Sequence, residues 1–385
     1  MPLHEPREGD SLEFHSHARV NWETTIGHPE QYVWSSIKHM GVDEVADGIL
    51  EEFHMVSSSR IRSTIAKNLQ LYIGQAFELY ESARNAKANT APLLYYYAFL
   101  NLAKALCEIY HPRFHKKPEC YRHGISWQPN REYMVNMGSE SVRLTRRGVW
   151  HVLCEAVAQR PCDVPDPCML NIRNLFALAP ELSSEYARTY HQSPRLVWLH
   201  DPDVLADYDK KEVWLRFISV EREDLRTLRF SGPKLLDSIT TPTIAYREVR
   251  STEDNFRTFE LEHPKKIPDA HEGALRELVA SEVRELVASE VRAMNPFTYL
   301  ESDGLQYAIP IQTQLPIQLP QLLVLYSLMF WLGSLVRYDP HSVAHLQDTE
   351  HWILIDGFIN QSRLWLLELF EWELYKHETT LHSVR

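Results

Sequence analysis

The stretch "APLLYYYAFLNLAKALCEIY", residues 91–110, decides how the chain is read. On a helical wheel Tyr97, Asn101, Lys104 and Glu108 fall within about 60° of one another. Nearly everything else on the circumference is apolar or aromatic, from Leu94 and Phe99 to Leu106 and Ile109. A helix with so narrow a polar stripe must be enclosed on most sides, and the Asn, Lys and Glu that go inside with it need partners. Of the three consecutive tyrosines, only Tyr97 joins the polar seam; Tyr95 and Tyr96 face largely apolar surroundings. The stretch therefore predicts a central core helix, and its seam is either a binding site or internal wiring.

Working outward, residues 42–90 show helical spacing of apolar side chains, including Ile65, Leu69, Ile73 and Phe77. Asn89-Thr90 reads as a break and N-cap, with Pro92 just inside the next helix. "HPRFHKKPECYRHGISWQPNREY" (111–133) is irregular, a helix is predicted over about Val149–Gln159, and "RPCDVPDPCM" (160–169) reads as a loop. The pattern then changes. "EVWLRFISVE" (212–221) alternates and is rich in β-formers, and "YREVRST" (246–252) and "FRTFELEHP" (256–264) flank the turn-prone "EDN". "FTYLESDGLQYAIPIQ" (297–312) reads as a hairpin with Asp303-Gly304 at its turn.

One helix is expected inside this β-rich region, and it carries a perfect duplication, "RELVASEV" at 276–283 and 284–291. Its eight-residue period is not a coiled-coil heptad, so it reads as a simple lengthening of a helix. From Leu319 helix returns. "LLVLYSLMFWLGSLV" (322–336) has only 15 apolar residues before Arg337, whereas a membrane span needs roughly 20, so it is expected to be a core helix. The expected fold class is α+β, mainly α: a helical region over 1–194, a β-containing insertion over 195–318, and C-terminal helices over 319–385 that pack on the N-terminal core.

The chain has 385 residues, and 40 Lys+Arg against 52 Asp+Glu give a net charge of −12. That balance argues against nucleic-acid binding over the whole surface but leaves room for a local basic cleft. Five cysteines with no CxxC pair fit a reducing compartment, and the N-terminus lacks the basic and apolar regions of a signal peptide, so a cytoplasmic location is expected.

Three constellations could carry chemistry. His111, His115, Cys120 and His123 are four potential metal ligands within 13 residues, but the short central spacer fits no zinc finger, and neither metal nor cofactor is expected. In "SVRLTRRGVWH" (141–151), Arg146 could hold a phosphate and His151 could take a 2′-hydroxyl proton, with Arg143 and Arg147 adding charge. Positions five apart point about 140° away from each other on a regular helix, so this pair converges only if Gly148 marks a loop-to-helix junction. Arg337, at the end of an apolar helix that Pro340 prevents from continuing, either caps that helix or reaches the polar seam. Walker, GxGxxG, HExxH and GxSxG motifs are absent.

"PLLYYYAFLNLAKALCEIY" followed by "RHGIS" resembles the HEPN superfamily. Together with "RRGVW" (146–150), "LFALAPELSSEY" (175–186) and "LYSLMFWLGSLVRYDP" (325–340), the chain more closely resembles the YaaC-like family. The resemblance implies a mainly helical, HEPN-like core. HEPN proteins include metal-independent ribonuclease toxins and defence effectors, often dimeric, with an Arg-polar-x(3–5)-His site; others bind nucleotides or proteins without catalysis. Carried over, that motif falls on Arg146, Arg147 and His151, although in the YaaC-like arrangement Gly148 centres a structural element.

The expected function is an RNA-cleaving or RNA-binding effector of phage defence or of a toxin system. Its catalytic residues would be Arg146, His151 and Lys104, and its substrate-binding residues Tyr97, Asn101, His123, Arg147 and Arg337. The alternative is a non-catalytic scaffold, with the β-rich insertion as a protein-binding module, or a nucleotide sensor. A homodimer is compatible with either, and no membrane partner is expected.

Overall fold

A computed structural model describes residues 4–8, 10–12, 29–52, 54–128, 135–158, 161–199, 202–207, 209–239, 245–251, 255–266, 297–301 and 304–375. The chain divides into two compact units. One comprises Val20–Pro194 and Gln312–His377, the other Met1–Arg19, Arg195–Ile311 and Glu378–Arg385. The class is α+β, mainly α.

The helices run α1 (Pro29–His39), α2 (Asp43–Glu52), α3 (Ser59–Arg84), α4 (Ala91–Tyr110), α5 (Val149–Ala158), α6 (Ile172–Phe176) and α7 (Ser183–Tyr190) in the first part of the chain. Two short helices, α8 (Arg222–Thr227) and α9 (Gly232–Ile239), belong to the strand-rich unit. The chain then returns to helix with α10 (Gln321–Tyr338), α11 (Pro340–Gln347), α12 (His351–Gly357) and α13 (Arg363–Tyr375), the last two joined by a π turn over Phe358–Ser362.

In the helical unit α3 buries Ile65, Leu69, Ile73, Ala76, Tyr80 and Ala83, a face at helical spacing, and packs along α4. α4 is enclosed on its other sides by α5, α10 and α13. Its start follows Thr90, but the Thr90 hydroxyl makes no capping bond, and Pro92 fits the first turn because it needs no N–H partner there. α10 is long and apolar enough to cross a membrane by length and composition, yet every residue from Gln321 to Leu335 is buried within the unit. Its close approach to α4 depends on Gly333: a Cβ there would lie 3.1 Å from Tyr96 Cβ and 3.2 Å from the Pro92 carbonyl.

A small antiparallel sheet of Ile125–Ser126, Ser141–Leu144 and Cys168–Asn171 lies in the same unit. Its strands are too short to show alternation, which is why 111–133, which contains Ile125–Ser126, reads as irregular and 160–169, which contains the start of Cys168–Asn171, reads as a loop.

The strand-rich unit holds an antiparallel sheet in the order Asp10–Leu12, Pro202–Asp207, Glu212–Glu221, Phe256–Leu261, Tyr246–Val249, with Lys265–Lys266 also pairing on Glu212–Glu221. Its first strand comes from far upstream in the sequence. Glu260 is fully buried in this sheet and is bonded by the guanidinium groups of Arg216 and Arg247, with Arg7 close by. A second sheet runs Phe297–Glu301, Gly304–Pro310, Leu196–Leu199. The hairpin forms, but Gly304 pairs with Glu301 and so begins the second strand rather than sitting in the turn. Helices α8 and α9 add to the single helix expected in this region. The duplicated "RELVASEV" segment lies outside the described residues.

Candidate functional site

The polar seam of α4 has two ends, and they differ. At the C-terminal end Glu108 is fully buried. Its carboxylate accepts from Asn68 Nδ2 (3.0 Å), the Arg113 N–H (2.7 Å) and the His115 N–H (2.9 Å), and lies 3.1 Å from His115 Nδ1. A buried carboxylate costs several kcal/mol unless such donors replace its water. These do, and in return they fix the chain leaving α4, where Arg113 takes a left-handed φ of 70°. This end of the seam is closed wiring.

The other end is open. Arg337, exposed in the last turn of α10, donates from Nη1 to the Tyr97 hydroxyl at 2.8 Å, and its guanidinium lies over the exposed Tyr338 ring at 4.9 Å. Tyr97 and Lys104 are half-buried. Asn101 is buried and returns its amide to the Tyr97 carbonyl at 3.1 Å, within the same helix. His123 completes the group. Its Nδ1 lies 2.5 Å from the Tyr96 hydroxyl, and its ring packs against Tyr96 and Phe330.

A backbone crossing positions His123. The first N–H groups of a helix have no partner within it; in α5 those of Val149 and Trp150 donate to the carbonyls of Arg122 (2.9 Å) and His123 (3.0 Å). The Thr145 N–H donates to the Gly124 carbonyl at 3.0 Å. Such an approach leaves no room for side chains. A Cβ on Gly148 (φ 146°) would lie 2.3 Å from the Gly124 nitrogen, and Gly124 itself has φ 79°. The "HG" at 123–124 and the "RRGVW" at 146–150 are thus two halves of one junction. Trp150 anchors it further by donating from Nε1 to the buried Ser327 hydroxyl of α10 at 3.0 Å.

Burial depresses the pKa of His123 below its ordinary value, and the positive charges of Lys104 and Arg337 depress it further. The imidazole is therefore neutral at pH 7. Among the described residues neither Lys104 nor Arg337 has a carboxylate partner, because the one acid of the seam is consumed at its far end. Two cations, a neutral histidine and two tyrosine hydroxyls converge with a positive excess and partial access to solvent. Such a group can hold an anion and exchange a proton beside it.

The other expected residues are placed differently. The Arg146 side chain is 76% exposed and pairs with Asp166 at 3.4 Å. Arg147 is exposed, and its carbonyl accepts from the Thr145 hydroxyl. His151 is only 8% exposed; it packs on Trp150, has no bond at either ring nitrogen, and its pKa is lowered by burial. Arg146 and His151 share no partner, and Gly148 serves the crossing with Gly124 rather than their convergence. The four clustered metal-ligand types also disperse: His115 to Glu108, His111 toward Glu155, Cys120 to Tyr72, and His123 to Tyr96. Among the described residues no group of three or more side chains could hold a metal ion.

The roles of Tyr95 and Tyr96 were not visible in their apolar surroundings. Tyr96 meets His123, and the Tyr95 hydroxyl accepts from Arg363 at 2.6 Å, an arginine that also pairs with buried Glu30 at 3.0 Å. The available signal was that a buried tyrosine hydroxyl generally finds a partner.

No curated protein and no solved structure matches the chain. The family model for the YaaC-like protein matches residues 45–374, which takes in α3, α4, the Gly124–Gly148 junction, the strand-rich region and α10 through most of α13. The chain belongs to the YaaC-like protein family.

Proposed function

We propose that this YaaC-like protein binds a phosphate-bearing ligand, single-stranded RNA in the first instance, at the open end of the α4 seam. In this reading it is a HEPN-like RNA effector in which Lys104 and Arg337 hold phosphate and Tyr97 and Tyr338 offer rings for base stacking. His123 takes the 2′-hydroxyl proton, so that cleavage needs no metal. The observation that carries it is the convergence of Lys104 and Arg337, neither with a carboxylate partner among the described residues, on half-buried His123, whose pKa burial and those charges lower. Catalysis moves from His151 to His123, because His123 has the cations beside it and partial access to solvent.

The test uses the purified full-length chain, labelled single-stranded RNA and EDTA. Lys104→Ala and Arg337→Ala each weaken binding roughly tenfold, a loss of about 1.4 kcal/mol, and the affinity falls with salt as phosphate contacts require. His123→Ala binds RNA but does not cleave it. Cleavage by the parent persists somewhat below pH 6.5 and is lost only as the depressed His123 takes up its proton. Loss of cleavage in Arg146→Ala or His151→Ala, with His123→Ala still active, returns the chemistry to that pair. RNA bound but left intact by every form leaves the site as a binding module, and absence of any RNA binding sinks the reading.

A further inference from the structure

Three of the five cysteines gather away from the seam, where α5 ends and the strand Cys168–Asn171 begins. Cys154 is buried on α5, Cys162 is partly exposed on the connecting segment, and Cys168 is buried at the head of the strand. The Cys162 thiol points at Cys154, with the two sulfurs 2.9 Å apart. That is inside ordinary van der Waals contact between sulfur atoms and about 0.9 Å from the length of a disulfide, near 2.05 Å. Cys168 feels Cys162: its thiol is pushed up to about 11 by burial first and then by that nearby thiol. Among the described residues no three such side chains are arranged to hold a metal, so the geometry favours a covalent bond between two sulfurs.

We propose that Cys154 and Cys162 are an oxidisable pair that closes to a disulfide on exposure to a peroxide. Cys162 is the more accessible thiol and reacts first. Its thiolate attacks one peroxide oxygen, the O–O bond breaks, and a sulfenic acid forms as hydroxide leaves and is protonated to water. Cys154 then attacks the sulfenic sulfur; the S–S bond forms, the S–O bond breaks, and the hydroxyl leaves with the Cys154 proton as a second water. Overall two thiols are oxidised to one disulfide and one hydrogen peroxide is reduced to two waters. Cys168 stays protonated and out of reach of solvent, and so remains a thiol.

The bond has a structural consequence. The segment it captures, residues 161–167, carries Asp166, which pairs with Arg143 and Arg146 at 3.4 Å each. Closure would staple this segment to α5, the helix whose first turn holds the His123 carbonyl. In a reducing compartment the pair stays open, and a burst of peroxide closes it.

The experiment treats the native full-length protein with hydrogen peroxide in slight molar excess, blocks remaining thiols with an alkylating reagent under denaturing conditions, and digests without reductant. Cleavage after Glu155 and before Asp163 and Asp166 places Cys154, Cys162 and Cys168 on three separate peptides, so their linkage can be read by mass. The expected product has three alkylated cysteines instead of five and a Cys154–Cys162 peptide pair, reversed by dithiothreitol. Cys162→Ser abolishes the pair and Cys168→Ser leaves it intact. Far-UV circular dichroism checks that each variant is folded. Five alkylatable thiols after treatment overturn the proposal, as does a link through Cys168 or one found only between two chains on a non-reducing gel.

Discussion

At the residue scale the seam separates into a carboxylate wired into the fold and two cations that, among the described residues, have no carboxylate partner. Glu108 collects bonds from a side-chain amide and two backbone N–H groups, and truncating it would strand those donors in the interior. Each stranded donor costs about 1–3 kcal/mol. Release of Arg113 from its left-handed conformation returns about 1 kcal/mol of that. Glu108→Ala is therefore expected to lower the free energy of unfolding by roughly 2 kcal/mol or more, read as a lower urea midpoint at unchanged slope. The RNA affinity proposed for the open end, measured well below that midpoint, should stay within about twofold of the parent, because the open end has its own supports. A variant as stable as the parent would show that solvent satisfies those donors and that the closed end is not closed. Lys104 is the opposite case: among the described residues it makes no ion pair, so its removal should be felt in the proposed binding and hardly at all in stability.

At the element scale the C-terminal helix α13 introduces a pH dependence of its own. Glu368 is buried on it with Oε1 unbonded, and its carboxyl is pushed up to about 8, by burial first and then by the charge of Glu371. Glu181 accepts from the Ser362 hydroxyl of the preceding π turn and is likewise raised by burial, to about 7. In the unfolded chain such carboxyls titrate near 4.5. Between that value and about 8 the folded protein holds a proton on Glu368 that the unfolded chain has released. Stability from this group is therefore complete at low pH, falls as pH rises through the window, and levels off above it. Glu368→Gln keeps the shape and the neutral state. It is expected to match the parent near pH 4.5 and to exceed it at pH 8.5, by on the order of 1 kcal/mol or more, in urea melts at the two pH values. Equal stability at pH 8.5 would mean that Glu368 ionises without penalty. The same scale explains the Gly124–Gly148 junction: two short loops cross where only glycine fits, and the crossing aims His123 at the seam.

At the scale of the whole molecule, what could be read in the sequence followed element length and regularity. The long apolar helices α3, α4 and α10, the strand Glu212–Glu221 and the 297–312 hairpin declare themselves through period and propensity. The two- to four-residue strands around Ser141–Leu144 are too short for a period, and the pairing of Asp10–Leu12 with Ala206–Val204 joins segments that nothing local connects. At the site, the seam was legible from spacing on one helix. That His123 rather than His151 lies beside Lys104 and Arg337 was not, because it depends on which histidine a crossing of two distant loops turns toward them. The entry and exit of the strand-rich unit are settled by one such long-range pairing: Leu196 pairs with Pro310, and the Ile311 N–H donates to the Arg195 carbonyl at 2.8 Å. Residues paired in this way stand about 5 Å apart, so Pro194 and Gln312 leave that ladder side by side. Short loops cost little to close. Residues 20–194 joined to 312–377 through a linker of about four Gly and Ser residues should therefore fold as a helical protein, with a single cooperative urea transition. It should also retain the proposed RNA binding, because Tyr97, Lys104, His123 and Arg337 all belong to the helical unit. A soluble, cooperatively folding product that has lost the binding would place part of the ligand's contacts in the strand-rich unit. A product without a cooperative transition would show that the helical core needs residues 195–311 in order to fold.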